Sequence, residues 1–274
     1  MIKDKRILIT GNAGSIGSEL TRQLVKDNKV FGIDINESGF FDIQQETGCF
    51  GRVGDVKDKA TVFDIFSDFK PEVVIVAHAY KHVPLMEKYP IEAIQTNIIA
   101  TWNVISEAKR WECLEKFVFI SSDKAVSSQS IMGATKRMGE MLTKNQGKGF
   151  CAVRFGNVLS SRGSLINIWE KQIKQGKNIT VTDKKMQRYF MTIQEACQLV
   201  IEAAEDSTGG EIYVLDMGKP INIHKLAEKL VKDMQVDNKI EIIGIRDGET
   251  LNEGLMFEEE SRRAIKKSKF FIIK

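Results

Sequence analysis

Proline is scarce in this sequence, with four in 274 residues, and no segment is low in complexity. Disordered tethers between separate domains are therefore not expected; one large α/β unit with a smaller attached region is. Cysteine is equally sparse. Cys49, Cys113, Cys151 and Cys197 stand far apart, with no CxxC pair and no His/Cys cluster. That pattern argues against a metal site and for reduced, mostly buried thiols. No apolar run approaches the roughly 20 residues of a membrane-spanning helix, and no leader pattern precedes the first strand. A cytoplasmic protein without a membrane segment is expected. Forty basic and 37 acidic residues leave a net charge of +3 and no basic stripe, so nucleic acid is not an expected partner.

What is present is organised around Lys116–Glu140, KFVFISSDKAVSSQSIMGATKRMGE. Phe117–Ile120 is aromatic and β-branched without interruption, the pattern of a buried parallel strand. Ser121-Ser122-Asp123-Lys124 follows, and Gly133-Ala134-Thr135 then opens a helix that carries Lys136 on an early turn. A hydroxyl, a carboxylate and an ammonium thus sit where a strand stops, the edge at which open α/β sheets bind ligands. Taken alone, a capped loop with an ordinary ion pair has the same pattern.

Arg6–Thr10 is a short buried strand, and Gly11-Asn12-Ala13-Gly14-Ser15-Ile16-Gly17 joins it to a helix with Ile16, Leu20 and Leu24 on one face. Strand, glycine loop and helix together make a dinucleotide site. The glycines allow a tight turn and close backbone approach, and the helix start offers free N–H groups to a pyrophosphate. The next strand, Val30–Ile33, ends in Asp34, whose carboxylate accepts from both ribose hydroxyls of NAD and repels a 2′-phosphate. No arginine follows it, so NAD is expected over NADP. Phe50–Val53 leads to Asp55 and Val56, a rim for adenine, and the strand Val73–Ala77 ends at the cofactor edge with Ala77. His78 and His82 in the following loop are expected to pack it. A long helix through Ile94, Ile98 and Ile105 comes next.

The alternation of strands and helices predicts an NAD-binding Rossmann fold, a doubly wound parallel sheet with a small interleaved carboxyl-terminal substrate region. Residues 1–156 are expected to form the dinucleotide domain, with its sheet completed by about 188–217. Residues 157–187 and 218–274 are expected to form a lid.

The blocks TGNAGSIG, AYKHVPLME followed by TN, SSDKAV, MGATKRMGE, VRFGNVLSSRGS, RYFMTIQEA, YVLDMGKP and IRDGETLNE occur in this order. Together they resemble the extended short-chain dehydrogenase/reductases that act on nucleotide sugars, above all the bacterial UDP-N-acetylglucosamine 4,6-dehydratases of polysaccharide biosynthesis. The resemblance implies NAD, a UDP-sugar substrate, and a homo-oligomer of two or more chains. It places Lys136 on the nicotinamide ribose and Met132 where the usual catalytic tyrosine stands, as in some dehydratases of this group. A thioether has no proton to exchange. Ser122 then meets the sugar C4 oxygen, Lys124 removes the C5 proton and Asp123 helps the C6 hydroxyl leave. Lys81, Asn157 and Arg188 fall at the substrate, with Arg246 on its phosphates and Glu249 on the uridine ribose. Asp247 and Thr250 depart from the proline and lysine usual in that last motif.

The implied reaction oxidises C4, eliminates water across C5 and C6, and returns the hydride to C6. It needs Lys124 as free amine and Asp123 as acid. Burial favours both states, while their opposite charges oppose them. A C5-inverting dehydratase/epimerase shares the same first steps, and a non-catalytic NAD sensor would use the fold for binding alone.

Overall fold

In the computed structural model, which describes residues 2–126, 128–159 and 161–274, nine strands form one sheet. In chain order these are β1 (Arg6–Thr10), β2 (Lys29–Asp34), β3 (Phe50–Val53), β4 (Val73–Val76), β5 (Lys116–Ile120), β6 (Phe150–Arg154), β7 (Glu211–Leu215), β8 (Ile265–Lys267) and β9 (Phe270–Ile273). Across the sheet they run β8-β9-β7-β6-β5-β4-β1-β2-β3. From β3 to β7 every pairing is parallel. The order reverses between β1 and β4, and the cleft outside their carboxyl ends is where such sheets bind ligands.

The two faces of the sheet follow from side-chain alternation along each strand. Ile7, Ile9, Ile75, Val118, Val153 and Tyr213 enter one core, which the helices Ser15–Leu24 and Ile193–Asp206 cover. Leu8, Val74, Phe117, Phe119, Ala152 and Ile212 enter the other, beneath Lys59–Phe69 and Ala100–Ala108. Helices on both faces explain why these strands are apolar throughout rather than half polar.

The helix Ile131–Lys144 is capped by Ser130, whose hydroxyl accepts from the Gly133 amide at 3.0 Å. A Cβ at Gly133 would lie 2.3 Å from the Lys124 carbonyl oxygen. Glycine therefore lets this helix start directly against the turn Asp123–Ala125, which brings Met132 and Lys136 to the end of β5.

Trp169, Ile179, Val181, Met186, Ile223 and Ala227 form a separate small core in the segments expected to make a lid. It lies between the helices Leu165–Lys174 and Ile223–Asp233 and a two-stranded pairing of Ile179–Val181 with Ile240–Ile242. The expected lid segment 218–274 needs one correction. Its last residues form β8 and β9, a hairpin laid antiparallel on β7, with Ile273 opposite Ile212. The apolar run Phe270–Ile273 is short and stands beside Lys266, Lys267 and Lys269, which masks it as a sheet strand.

The expected long helix is also interrupted. It runs as Pro90–Ala93, a π-helical segment Ile94–Ile99, then Ala100–Ala108. Within the wider turn Asn97 is buried while Ile94 is exposed. Single π turns of this kind often sit at functional sites. Among the described residues no helix is long and apolar enough to cross a membrane.

Candidate active site

At the end of β1 the chain turns through Gly11, which has φ +72°. A Cβ there would lie 2.7 Å from the His78 backbone, so the loop closes on β4 only with glycine at this point. The Gly11 amide donates to the Ile33 carbonyl at 2.8 Å and the Gly14 amide to the Gly11 carbonyl at 2.9 Å. Gly17 packs with its Cα face on that same carbonyl, where a Cβ would stand at 2.2 Å. The Asp34 carboxylate accepts from the Ala13 amide at 3.0 Å and the Asn36 amide at 2.9 Å. It lines a cavity of about 210 Å³ together with Gly11, Gly14, Ile33, Asp55, Val56 and Ala77. A tight glycine loop, a carboxylate and apolar walls fit the adenosine half of a dinucleotide. Asn12 does not line it. Its side chain is buried beneath Gly32, where a Cβ would meet its Nδ2 at 2.0 Å.

Gly14, Ala77, Tyr80 and Arg162 also line a second cavity of about 610 Å³, which continues the first. Ser15 and Ile16 border it, and its floor carries Lys136 and Met132. Lys136 is 6 % exposed. Its Nζ donates to the Ile120 carbonyl at 2.8 Å and lies 4.7 Å above the Phe119 ring. Burial pulls its pKa down to about 8. Met132 packs among Val83, Met86 and Ala93. The wall formed by Tyr80 is held by Asn97, which accepts from the Tyr80 amide at 2.8 Å and donates to its carbonyl at 3.0 Å and to Thr135 at 2.9 Å. This is the work of the π-helical segment. His78 pairs with the Thr10 hydroxyl at 2.7 Å. Burial and the Lys136 charge hold it near pKa 3, so it is neutral and packs the loop.

Ser122, Asp123 and Lys124 face this cavity. The Ser122 hydroxyl donates to Asp123 Oδ1 at 2.9 Å and accepts from the Lys124 amide at 3.3 Å. Lys124 Nζ lies 3.1 Å from Asp123 Oδ1, 3.3 Å from Asn157 Oδ1 and 2.8 Å from Glu253 Oε2. Burial disfavours both charges, but the attraction outweighs it. Lys124, helped by hydrogen bonding from Glu253 and Ser122, holds Asp123 under the usual carboxylate range; Asp123 and Glu253 hold Lys124 above the usual lysine value. Glu253 behaves differently. Burial, reinforced by the Asp123 charge, pushes it up to about 7. The motif named Asp123 and Lys124; Glu253 closes the IRDGETLNE block without a role assigned to it, lies 129 residues from Lys124 and reaches the pair only through folding.

Arg188, expected at the substrate, does border the cavity, but its guanidinium is occupied by protein. It donates to the carbonyls of Gln187, Leu251 and Thr250 at 2.7, 3.1 and 2.8 Å and pairs with Glu253 at 3.3 Å. Lys81 reaches the Arg162 carbonyl at 2.7 Å, and burial lowers its pKa. Arg246 and Glu249 both line the cavity mouth and form an ion pair with each other. Among the described residues no group of His, Cys, Asp and Glu converges to hold a metal.

The fold and this cleft define an extended short-chain dehydrogenase/reductase. The chain belongs to the polysaccharide biosynthesis protein family, which matches residues 7–274. It is 45% identical over 277 residues to the capsular polysaccharide biosynthesis protein CapD of Staphylococcus aureus, a match covering 94% of this chain and 46% of that protein. The chain thus spans about half the length of that relative. A UDP-glucose 4-epimerase of Rickettsia bellii is 34% identical over 96% of this chain and 81% of its own. Among solved structures, Pen from Bacillus thuringiensis superposes with a TM-score of 0.92 at 36% identity, covering 99% of this chain and 88% of that one.

Proposed function

We propose that the chain is a nucleotide-sugar 4,6-dehydratase that binds NAD and a UDP-sugar, most of all UDP-N-acetylglucosamine. The observation that carries this reading is the Asp123–Lys124 pair at the end of β5, facing a cavity that Lys136 and Met132 also line. An acid and a base side by side suit an elimination, which adds a proton at one carbon's leaving group and removes one from its neighbour. Met132 stands in the place of a general base and has no proton to exchange, which disfavours simple C4 inversion.

When bound, NAD supplies the hydride acceptor for C4 and the donor for C6. The residues do the rest. Lys136 holds the cofactor ribose, and Asp34 accepts from the adenosine ribose. Ser122 orients the C4 oxygen. Ser122 also passes on the proton that the C4 hydroxyl loses on oxidation. Lys124 takes the C5 proton and returns one to C5 after water has left, and Asp123 protonates the departing C6 hydroxyl. Arg246 and Glu249 open their ion pair to hold the diphosphate and the nucleotide ribose, beside Asn157 and Lys81. The small lid core keeps water from the cleft. The protein is read as cytoplasmic. Ile94, Trp102, Met138 and Met141, all exposed on neighbouring helices, support a homo-oligomer.

Incubation with UDP-N-acetylglucosamine and NAD, followed by mass spectrometry, tests the reading. Loss of one water supports it, and the product's proton couplings then report retention or inversion at C5. An unchanged mass with inversion at C4 makes the protein an epimerase, the activity named for the Rickettsia relative. No turnover of any UDP-sugar leaves cofactor sensing.

A further inference from the structure

The elimination needs Lys124 as amine and Asp123 as acid, yet the two side chains lie together as ammonium and carboxylate. Their proton has to be exchanged before substrate chemistry begins, either across the direct 3.1 Å contact or through a group that touches both. Glu253 touches both. Its Oε2 lies 2.8 Å from Lys124 Nζ, and its carboxyl is within hydrogen-bonding reach of Asp123. Asp123 Oδ2 is buried and has no hydrogen-bond partner among the described residues, so it is open to a proton. The Glu253 side chain is only 6 % exposed.

The segment that carries Glu253 is held from both sides by buried arginines. Arg188 grips the carbonyls of Thr250 and Leu251 just before it. Arg154 donates to the Leu255 carbonyl just after it, at 3.0 Å. A carboxyl placed so rigidly between an acid and a base is more than a surface counter-ion.

We infer, on the basis of the dehydratase reading, that Glu253 is the proton bridge that converts the Lys124–Asp123 ion pair into the amine and acid used in the elimination. Protonated Glu253 gives its proton to Asp123 Oδ2 and takes one from Lys124 Nζ. Glu253 ends as it began, Asp123 becomes neutral acid and Lys124 neutral amine, and no net charge moves. In the elimination Lys124 then gains the C5 proton and Asp123 loses its own to the leaving hydroxyl, which departs as water. After water has left, Lys124 returns that proton to C5 as hydride adds at C6. The proton released by the C4 hydroxyl on oxidation reaches Asp123 through Ser122, whose hydroxyl donates to it at 2.9 Å. Back-transfer through Glu253 restores the ion pair for the next cycle. Glu253 acts through these two neighbours rather than on the sugar.

The charged groups facing Glu253 are Asp123, Lys124 and Arg188. Burial and Asp123 favour its proton, while Lys124 and Arg188 oppose it, and the balance leaves Glu253 titrating at about 7. Protonated Glu253 is the form that offers Asp123 a proton directly, so dehydration should fall as pH rises through neutrality.

Glu253→Gln keeps the shape and both contacts but carries no exchangeable acid proton. It should melt like the wild type, bind NAD and UDP normally, and dehydrate about 100-fold more slowly, the scale of one general acid–base group. Its remaining activity should lack the alkaline limb near neutrality. Carbon-13 NMR of glutamate-labelled, ligand-free protein supplies a readout without turnover: one carboxyl should titrate near neutral pH and vanish in Glu253→Gln. Wild-type dehydration by the variant, or the absence of that titrating carboxyl, overturns the bridge. Failure of the wild type to remove water from any UDP-sugar instead sinks the dehydratase reading, and the bridge's chemistry with it, while the NMR signal would still show the shared proton.

Discussion

Arg154 and Glu140 meet inside the protein as a two-pronged pair, with Nε and Nη2 of the guanidinium each 2.8 Å from a carboxylate oxygen and neither side chain exposed. The pair is part of a larger join. Glu140 also accepts from Ser121 at 2.7 Å, directly before the Ser122-Asp123-Lys124 turn. Arg154 further binds Glu260 at 2.7 Å. One buried cation thus ties the end of β5, the helix Ile131–Lys144 and the segment after Glu253 to a common point.

Removing that cation should be costly. Arg154→Ala leaves two buried carboxylates sharing the partly exposed Arg137 as their remaining arginine partner, and breaking a buried pair costs roughly 3–5 kcal/mol. The denaturant midpoint should fall accordingly. Arg154, after an opposing burial effect, holds Glu260 below the usual carboxylate range. A depressed folded-state value means that stability from Glu260 is present above its unfolded pKa and is lost as pH falls through the folded one. Glu260→Gln should therefore be less stable than wild type at neutral pH, with the gap closing in acid. A gap independent of pH would refute the pairing as the source.

Asp34 should set the cofactor. With its carboxylate at the mouth of the adenosine cavity, a 2′-phosphate meets a like charge. NADP should bind at least about tenfold more weakly than NAD, a difference of about 1.4 kcal/mol. Asp34→Ala should narrow that gap and weaken NAD as well, since the Ala13 amide loses its acceptor. Titration after removal of any retained cofactor measures both, and equal affinity for the two in wild type would count against the assignment.

Arg246→Ala should weaken UDP binding and leave NAD binding unchanged. Hydrogen bonds to a charged group contribute roughly 1.5–3 kcal/mol. Because Arg246 is half exposed and already paired with Glu249, the loss should lie at the lower end. Calorimetry with UDP decides it; unchanged affinity would remove the late motif from nucleotide binding.

Lys124 and Asp123 should separate by step. Lys124→Ala should still allow cofactor reduction with substrate, while incorporating no solvent deuterium at C5 and releasing no water. Asp123→Asn should permit some C5 exchange but block loss of the C6 hydroxyl. Single-turnover absorbance of the reduced cofactor, read beside deuterium incorporation, distinguishes them. Rapid C5 exchange in Lys124→Ala would reassign the base.

Much of the sheet was determined by local sequence. Uninterrupted apolar runs at β1, β4, β5 and β6 need burial on two faces, and only a covered parallel sheet provides it. Gly11, Asp34 and the Asp123–Lys124 turn were legible for a related reason: each stands at the end of such a strand, so its place at the ligand edge follows from topology. Three features belong to the tertiary structure alone. The β8–β9 hairpin depends on an open edge at β7, which no local pattern announces. Arg188 looks like a substrate contact in its motif, yet folding surrounds it with carbonyls that take up its donors. Glu253 ends the IRDGETLNE block but has no assigned role there until two distant arginines hold its segment against Lys124 and Asp123. The physical reason is common to all three. Apolar periodicity encodes which surface is buried, whereas the partner of a buried charge is whichever group the fold brings within hydrogen-bonding distance.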